Sequence, residues 1–274
     1  MSTPIAFVRV DTAHGIAWMK QAFGMFRRAP LAWLLLIFTY YFLVAITELG
    51  PWAYVGQIVA PIMKPVFAVG FLAAAWTQER GDAPRFEHLF RGFRSNLFAL
   101  IPLGIVFLVG MTLAIWATTL VDGGVLVGAL ATGERPAPDA PASGRLLFAM
   151  LFGAVCALPT LFALWFAPAL VVFNDASAAR ALATSLRASL ANWRPLLMFA
   201  LALFGLGVLL PGMVVTIARL FGDTLAGVVA LFVIVPYFFV FIATLHISDY
   251  VSYRDVFRPD EPPLAAPPVG SSQS

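Results

Sequence analysis

Charge is what this 274-residue sequence has least of. Only 11% of its residues are Asp, Glu, Lys or Arg, where a soluble domain carries about a quarter. A single cysteine, Cys156, excludes an intrachain disulfide and any zinc site built on cysteine pairs. The three histidines, His14, His88 and His246, are far apart, and no H-E-x-x-H, G-x-S-x-G or phosphate-cradling glycine motif occurs. These gaps predict a protein with no catalytic, cofactor-binding or metal-binding residues, and not an enzyme. Lysine is scarce beside arginine, two against fifteen, which speaks of GC-rich bacterial codons. No soluble stretch is long enough to present a basic face, so nucleic acid is not an expected partner.

Hydrophobic residues make up 61% of the chain. Apolar runs near the roughly twenty residues needed to cross a bilayer lie at about 30–47, 53–76, 97–120, 147–173, 196–217 and 225–246. The first starts too late and runs too long for a cleaved leader and reads as a retained span. The expected fold is an all-α integral membrane bundle of six transmembrane helices in three hairpins. The membrane domain covers 1–258, and 259–274, "PDEPPLAAPPVGSSQS" with its lead-in, has the composition of a disordered cytoplasmic tail. The outer loop at 122–145 reads as irregular, and that near Phe221–Asp223 as a tight turn.

The arginines and lysines fall unevenly. Outside the spans, thirteen belong to the N-terminus, the second and fourth loops and the tail, and three, Arg135, Arg145 and Arg219, to the opposite side. The bias predicts both termini in the cytoplasm. A short basic amphipathic segment precedes each hairpin. In "RFEHLFRGFRSN" (85–96), Phe86, Leu89, Phe90 and Phe93 share a helical face, with Arg85, Arg91 and Arg94 elsewhere. In 178–194, Leu182, Leu186, Leu190 and Trp193 form one stripe and Arg180, Arg187 and Arg194 another. In the first segment Ile16, Met19, Phe23 and Phe26 form the stripe, with Trp18 at the interface. Each is expected to lie in the membrane interface, rings toward the acyl chains and guanidinium groups toward lipid phosphates. Arg91, Arg94, Arg187 and Arg194 are the candidate head-group contacts. Asn96 and Asn192 suit helix N-caps, as do Asp175 and Ser177, while Pro30 and Pro195 suit first turns. A proline inside the second helix of each hairpin, Pro65, Pro159 or Pro236, completes a unit repeated three times.

Charge inside a membrane is costly and marks function. Lys64, in "APIMKPVFAVG", stands mid-span between Pro61 and Pro65, which free backbone carbonyls that an ammonium can meet. Glu48 is its nearest acidic candidate in sequence. Lys64 is either an intramembrane polar contact or a side chain that snorkels to the interface. An enzyme acting on lipids would instead need His88, Asp175, His246 and Asp249 to converge.

The segments "FRGFRSN" and "LRASLAN", the mid-span prolines and "NDASAARALATSLRASLANW" together resemble uncharacterised six-span bacterial inner-membrane proteins of the YciC type and the membrane domain of some glycerophosphodiester phosphodiesterases. The likeness covers most of 14–257. It implies the bacterial inner membrane and transfers no catalytic residues, and the soluble phosphodiesterase domain is absent. The function expected is a non-enzymatic envelope protein that engages anionic lipid head groups, a membrane-protein partner or a second copy of itself. The alternative is a small-solute transporter or channel.

Overall fold

The computed structural model describes residues 5–47, 49–50, 53–133 and 143–258 (side chains of 143 and 144 excepted). Every regular element among them is helical, and six helices are long and apolar enough to cross a membrane. The proposed tail at 259–274 lies outside the described residues. In chain order, α1 is His14–Arg28, α2 Pro30–Thr47 and α3 Ala53–Glu79. A 3-10 helix, Phe86–Arg94, leads to α4 (Leu97–Ala117), α5 (Thr119–Asp122) and α6 (Val125–Thr132). Then follow α7 (Ser143–Trp165), α8 (Ala167–Asn174), α9 (Ala178–Ala191), α10 (Trp193–Phe204), α11 (Leu210–Arg219), α12 (Asp223–Val229) and α13 (Val235–Phe257). The three hairpins are α2–α3, α4–α7 and α10–α13. Six apolar helices that leave Phe98, Leu120 and Phe232 largely exposed define a bundle solvated by lipid.

Helices α3 and α13 are parallel and in register. The Phe71 ring stacks on His246 at 4.1 Å, and eight residues further along both helices Glu79 meets Arg254. Helix α3 overshoots α4: Gly104 packs on Ile62, yet α4 begins only seven residues before Gly104 while α3 continues seventeen beyond Ile62. The overhang is about 15 Å at ~1.5 Å per residue. Around it gather α1, the 3-10 helix, α8 and the end of α13, with α9 against α8, so the arginine-bearing segments collect at one end of the bundle.

The three amphipathic segments are used differently. Helix α1 turns its apolar side to protein, between α10 and α13. Trp18, expected at the lipid interface, is fully buried and donates its Nε1–H to Asp255 Oδ2 at 3.1 Å, while Ile16 and Phe23 stay exposed. Gly15 permits this, because a Cβ there would overlap the Pro195 carbonyl. Helix α9 buries its small face, Ala181, Ser185, Ala188 and Ser189, against α7 and leaves Leu190 and Trp193 outward. The reason lies in α7. Pro168 ends its hydrogen-bond ladder, and the Ser185 hydroxyl inserts between Phe166 N–H and the Phe162 carbonyl, accepting at 2.9 Å and donating at 2.9 Å. Only a small side chain fits so close to a backbone.

Several capping expectations change. Asn96 caps α4, accepting from Ala99 N–H at 3.2 Å. Asn192 instead clamps the extended N-terminal segment, accepting from Val10 N–H at 2.9 Å and donating to the Val8 carbonyl at 3.0 Å. Asp175 closes α8 in the left-handed region at φ 48°, and Ser177 makes no side-chain cap. The outer loop is not irregular throughout: Asp122 accepts from Gly124 and Leu126 N–H, both at 2.8 Å, and starts α6. Residues 134–142 of that loop lie outside the described residues. The turn at 220–222 is tight, as expected, with Gly222 at φ 119°.

Prolines also mark more than the second helix of each hairpin, since Pro102 lies in α4 and Pro211 in α11. In the third hairpin both spans answer a proline with one π turn, Gly205–Leu209 before Pro211 and Ala230–Ile234 before Pro236. Leu210 N–H thereby reaches the Gly205 carbonyl, and Val235 N–H that of Ala230. The same register leaves the Leu206 carbonyl facing the proline nitrogen of Pro211, which has no hydrogen. The Tyr237 hydroxyl donates to it at 2.7 Å and joins the two spans.

Candidate functional site

The segment 85–96 is expected as an α-helix and is wound instead as a 3-10 helix. The tighter winding follows from how it docks. A Cβ on Gly92 would overlap the Val66 carbonyl, and one on Gly70 the Leu89 backbone, so the two chains cross almost backbone to backbone. Arg85 N–H donates to His88 Nδ1 at 2.8 Å and fixes the first turn. With three residues per turn, positions 88, 91 and 94 stack in one column. His88, Arg91 and Arg94 accordingly line a single hollow of about 490 Å³ with Glu87 and Ser95. Burial, with Arg91 beside it, holds the His88 imidazole below its usual value, so the ring is neutral and the hollow's positive charge is that of the arginines. Phe67, Phe90 and Phe93 form a ring cluster with Phe90 and Phe93 on the neighbouring column of the 3-10 helix, Phe93 lying 5.4 Å from Phe67.

Arg91 and Arg94 are exposed, as are Arg187 and Arg194. Among the described residues none of the four has a carboxylate within 4.0 Å. Arg187 Nε donates to the Ala183 carbonyl of its own helix at 3.2 Å, and the Arg194 guanidinium lies 5.6 Å from the Trp193 ring centroid. The other arginine clusters behave differently, for Arg85 pairs with Glu87 at 3.6 Å and Arg254 is buried.

Lys64 opens into a second cavity, of about 210 Å³, walled by α3, α4, α7, α8 and the Asp249 turn of α13. Its Nζ sits 4.3 Å from the Phe107 ring centroid. The expected partner Glu48 lies outside the described residues. Of the four groups an enzyme would need, only His246 and Asp249 meet, with Nδ1 and Oδ2 3.7 Å apart. Asp175 caps α8 and His88 belongs to the arginine hollow. No three His, Cys, Asp or Glu side chains among the described residues are placed to hold a metal ion.

The sequence reading missed a buried polar hub. Arg254 donates through NH1 to Glu79, through NH2 to Gln21 Oε1 at 2.7 Å, and to Asp255 Oδ1 at 2.8 Å. Glu79 also accepts from the Tyr250 hydroxyl, and Asp255 from Trp18. Every strong acceptor in the hub is met, as a buried charge requires. Beside it Trp33 Nε1–H donates to Gln78 Oε1 at 2.8 Å, and Gln78 Nε2–H to the Met25 carbonyl at 2.7 Å. The signal was present as "TQER" at the end of α3 and "SYRD" near the end of α13, both placed outside the apolar runs. This hub locks α1, α3 and α13 together and is structural.

Six apolar spans and one arginine-rich end define a multi-pass α-helical membrane protein. The chain is 31% identical over 261 residues to a probable inner membrane protein of Burkholderia thailandensis, a match that covers 93% of this chain and 95% of that one. It belongs to the family of that inner membrane protein. No family model and no solved structure matches it.

Proposed function

We propose that the protein is a non-enzymatic component of the bacterial inner membrane, with both termini in the cytoplasm, that holds anionic phospholipid head groups at its arginine-rich end. The observation that carries this reading is the column of Arg91 and Arg94 on a 3-10 helix that also carries the Phe90 and Phe93 rings, both arginines exposed and without a carboxylate within 4.0 Å among the described residues. Arg187 and Arg194 beside the outward Leu190 and Trp193 repeat the arrangement. A membrane-protein partner or second copy of the chain would use the same surface.

Each interfacial arginine contributes about 1 kcal/mol of attraction to an anionic leaflet. In nanodiscs containing spin-labelled lipid, the wild type should immobilise phosphatidylglycerol in preference to phosphatidylcholine. The Arg91→Gln/Arg94→Gln/Arg187→Gln/Arg194→Gln variant should lose most of that preference while keeping its fold. Equal preference in the two proteins would refute the reading. The cavity at Lys64 favours a second reading, a small-solute transporter or channel, which requires a continuous path past Lys64. The cavity walls are apolar apart from Lys64 and Asp249, so the lipid reading is preferred.

A further inference from the structure

The Lys64 cavity is separate from the arginine hollow: positions 66 and 70 of α3 face the 3-10 helix, whereas Lys64, Ala68 and Leu72 face the cavity. Lys64 lies fifteen residues before the end of α3 and, because α3 overshoots α4, about five residues, or ~7 Å at ~1.5 Å per residue, below the level at which α4 begins, within the span Ala53–Glu79. A cation at that depth is expensive unless a counter-charge or polar group meets it. Among the described residues Nζ has no carboxylate within 4.0 Å and no hydrogen bond; it lies over the Phe107 ring, with Asp249 of the same cavity within electrostatic range but not in contact. Asp249, the other charged group of the cavity, pairs with His246, which is level with Phe71, and so lies toward the basic end. On the α7 wall Trp165 Nε1 is buried with no acceptor. The remaining surface near Lys64 is Phe107, Leu161 and Leu164. Lys64 itself is exposed, so the cavity is open to a ligand in the bilayer.

We propose that this cavity binds an acidic amphiphile taken laterally from the bilayer, with its carboxylate or phosphate on Lys64 and its acyl chain along Phe107, Leu161 and Leu164. A water-soluble anion fits less well, because beyond Lys64 and the Trp165 N–H the wall near Lys64 is apolar and would face its hydration shell. An uncharged lipid would fill the apolar wall and leave the ammonium unmet. The pairing of one cation with a long apolar wall selects a molecule that is acidic at one end and hydrocarbon at the other.

Quenching of Trp165 fluorescence by brominated chains tests this on the full-length protein in an uncharged detergent. The signal is the difference between the wild type and Trp165→Phe, which removes the contribution of the other tryptophans. Dibromostearate and brominated phosphatidylglycerol are the acidic probes, and dibromostearate methyl ester and brominated phosphatidylcholine the uncharged ones. Saturable quenching by an acidic probe is expected at concentrations about tenfold below those its uncharged counterpart needs, the ratio one charge-assisted contact supplies. Lys64→Met should erase the ratio and Lys64→Arg should keep it. Quenching by dibromostearate alone identifies a fatty-acid-like ligand, and quenching by both acidic probes a general acidic lipid. Equal quenching by acidic and uncharged probes in the wild type, a comparison that needs no Lys64 variant, overturns the proposal. So does a ratio that survives in Lys64→Met. Arg91→Gln/Arg94→Gln should leave the ratio unchanged, which separates a failure here from a failure of the surface reading.

Discussion

Arg254→Met should destabilise the protein by about 3–5 kcal/mol, the cost of removing one partner from a buried ion pair. The side chain is large enough to be replaced without a cavity, so the loss is electrostatic. Glu79 and Asp255, with side chains 15% and 14% exposed, would each keep a charge with no cation beside it. Gln21 would lose its donor and Trp18 would be left tethered to an unpaired carboxylate. At a few degrees per kcal/mol, the apparent melting temperature in detergent should fall by about 10 °C or more. Glu79→Gln should cost less, because an amide oxygen still accepts from Tyr250 and Asp255 still neutralises Arg254. The double variant Arg254→Met/Glu79→Gln should lose less than the two single losses combined, since the second change removes one of the orphaned charges. Strict additivity would mean that the hub is not a coupled network.

Gly104→Val should be the most damaging single change in the membrane-spanning part, at about 3 kcal/mol. A Cβ at Gly104 would overlap the carbonyl, the carbonyl carbon and the Cα of Ile62. Those are backbone atoms of α3, which Pro61 and Pro65 on either side already constrain, so relief requires α4 to move as a body. The same displacement would pull Phe107 away from Lys64 and disturb the 3-10 helix that feeds α4. Gly110 provides the comparison. A Cβ there meets only the side chain of Thr160, which can change rotamer, so Gly110→Ala should cost much less. The measurement is the monodisperse yield and thermal midpoint of the two variants beside the wild type. Similar losses at both positions would contradict the close α3–α4 crossing.

The six spans were legible because lipid imposes one rule on all of them: every backbone polar group must be met within an apolar helix of sufficient length. The arginine segments were legible for the same reason, as breaks in that rule. What periodicity does not encode is the partner of an amphipathic face. Met19 and Phe26 satisfy the same pattern whether the surface they meet is lipid or protein, and the hub at Arg254, which takes in Trp18 and Gln21, decides it. The 3-10 winding of 86–94 was hidden because Phe86, Leu89, Phe90 and Phe93 fit an α-helical spacing. The decisive residue is Gly92, whose close approach to Val66 is a tertiary fact. Asn192 misled in a similar way: it looks like a cap, yet it clamps the backbone of Val8 and Val10 in a distant segment, and Ser185, which carries no sequence signal, completes that of α7. The cavity could not be read from the sequence either, because it joins Lys64 to Asp249, residues separated by three helical spans.

The reading of the arginine-rich end as a binder of inner-leaflet lipid stands or falls on which way the bundle faces. Alkaline phosphatase fused after Gly133, at the end of α6, and green fluorescent protein fused at the C-terminus report opposite sides of the membrane. An active phosphatase at Gly133 together with a fluorescent C-terminus is the predicted result, and places Arg91, Arg94, Arg187 and Arg194 at the cytoplasmic leaflet. An inactive phosphatase with a dark, full-length C-terminal fusion would put those arginines in the periplasm and contradict the account.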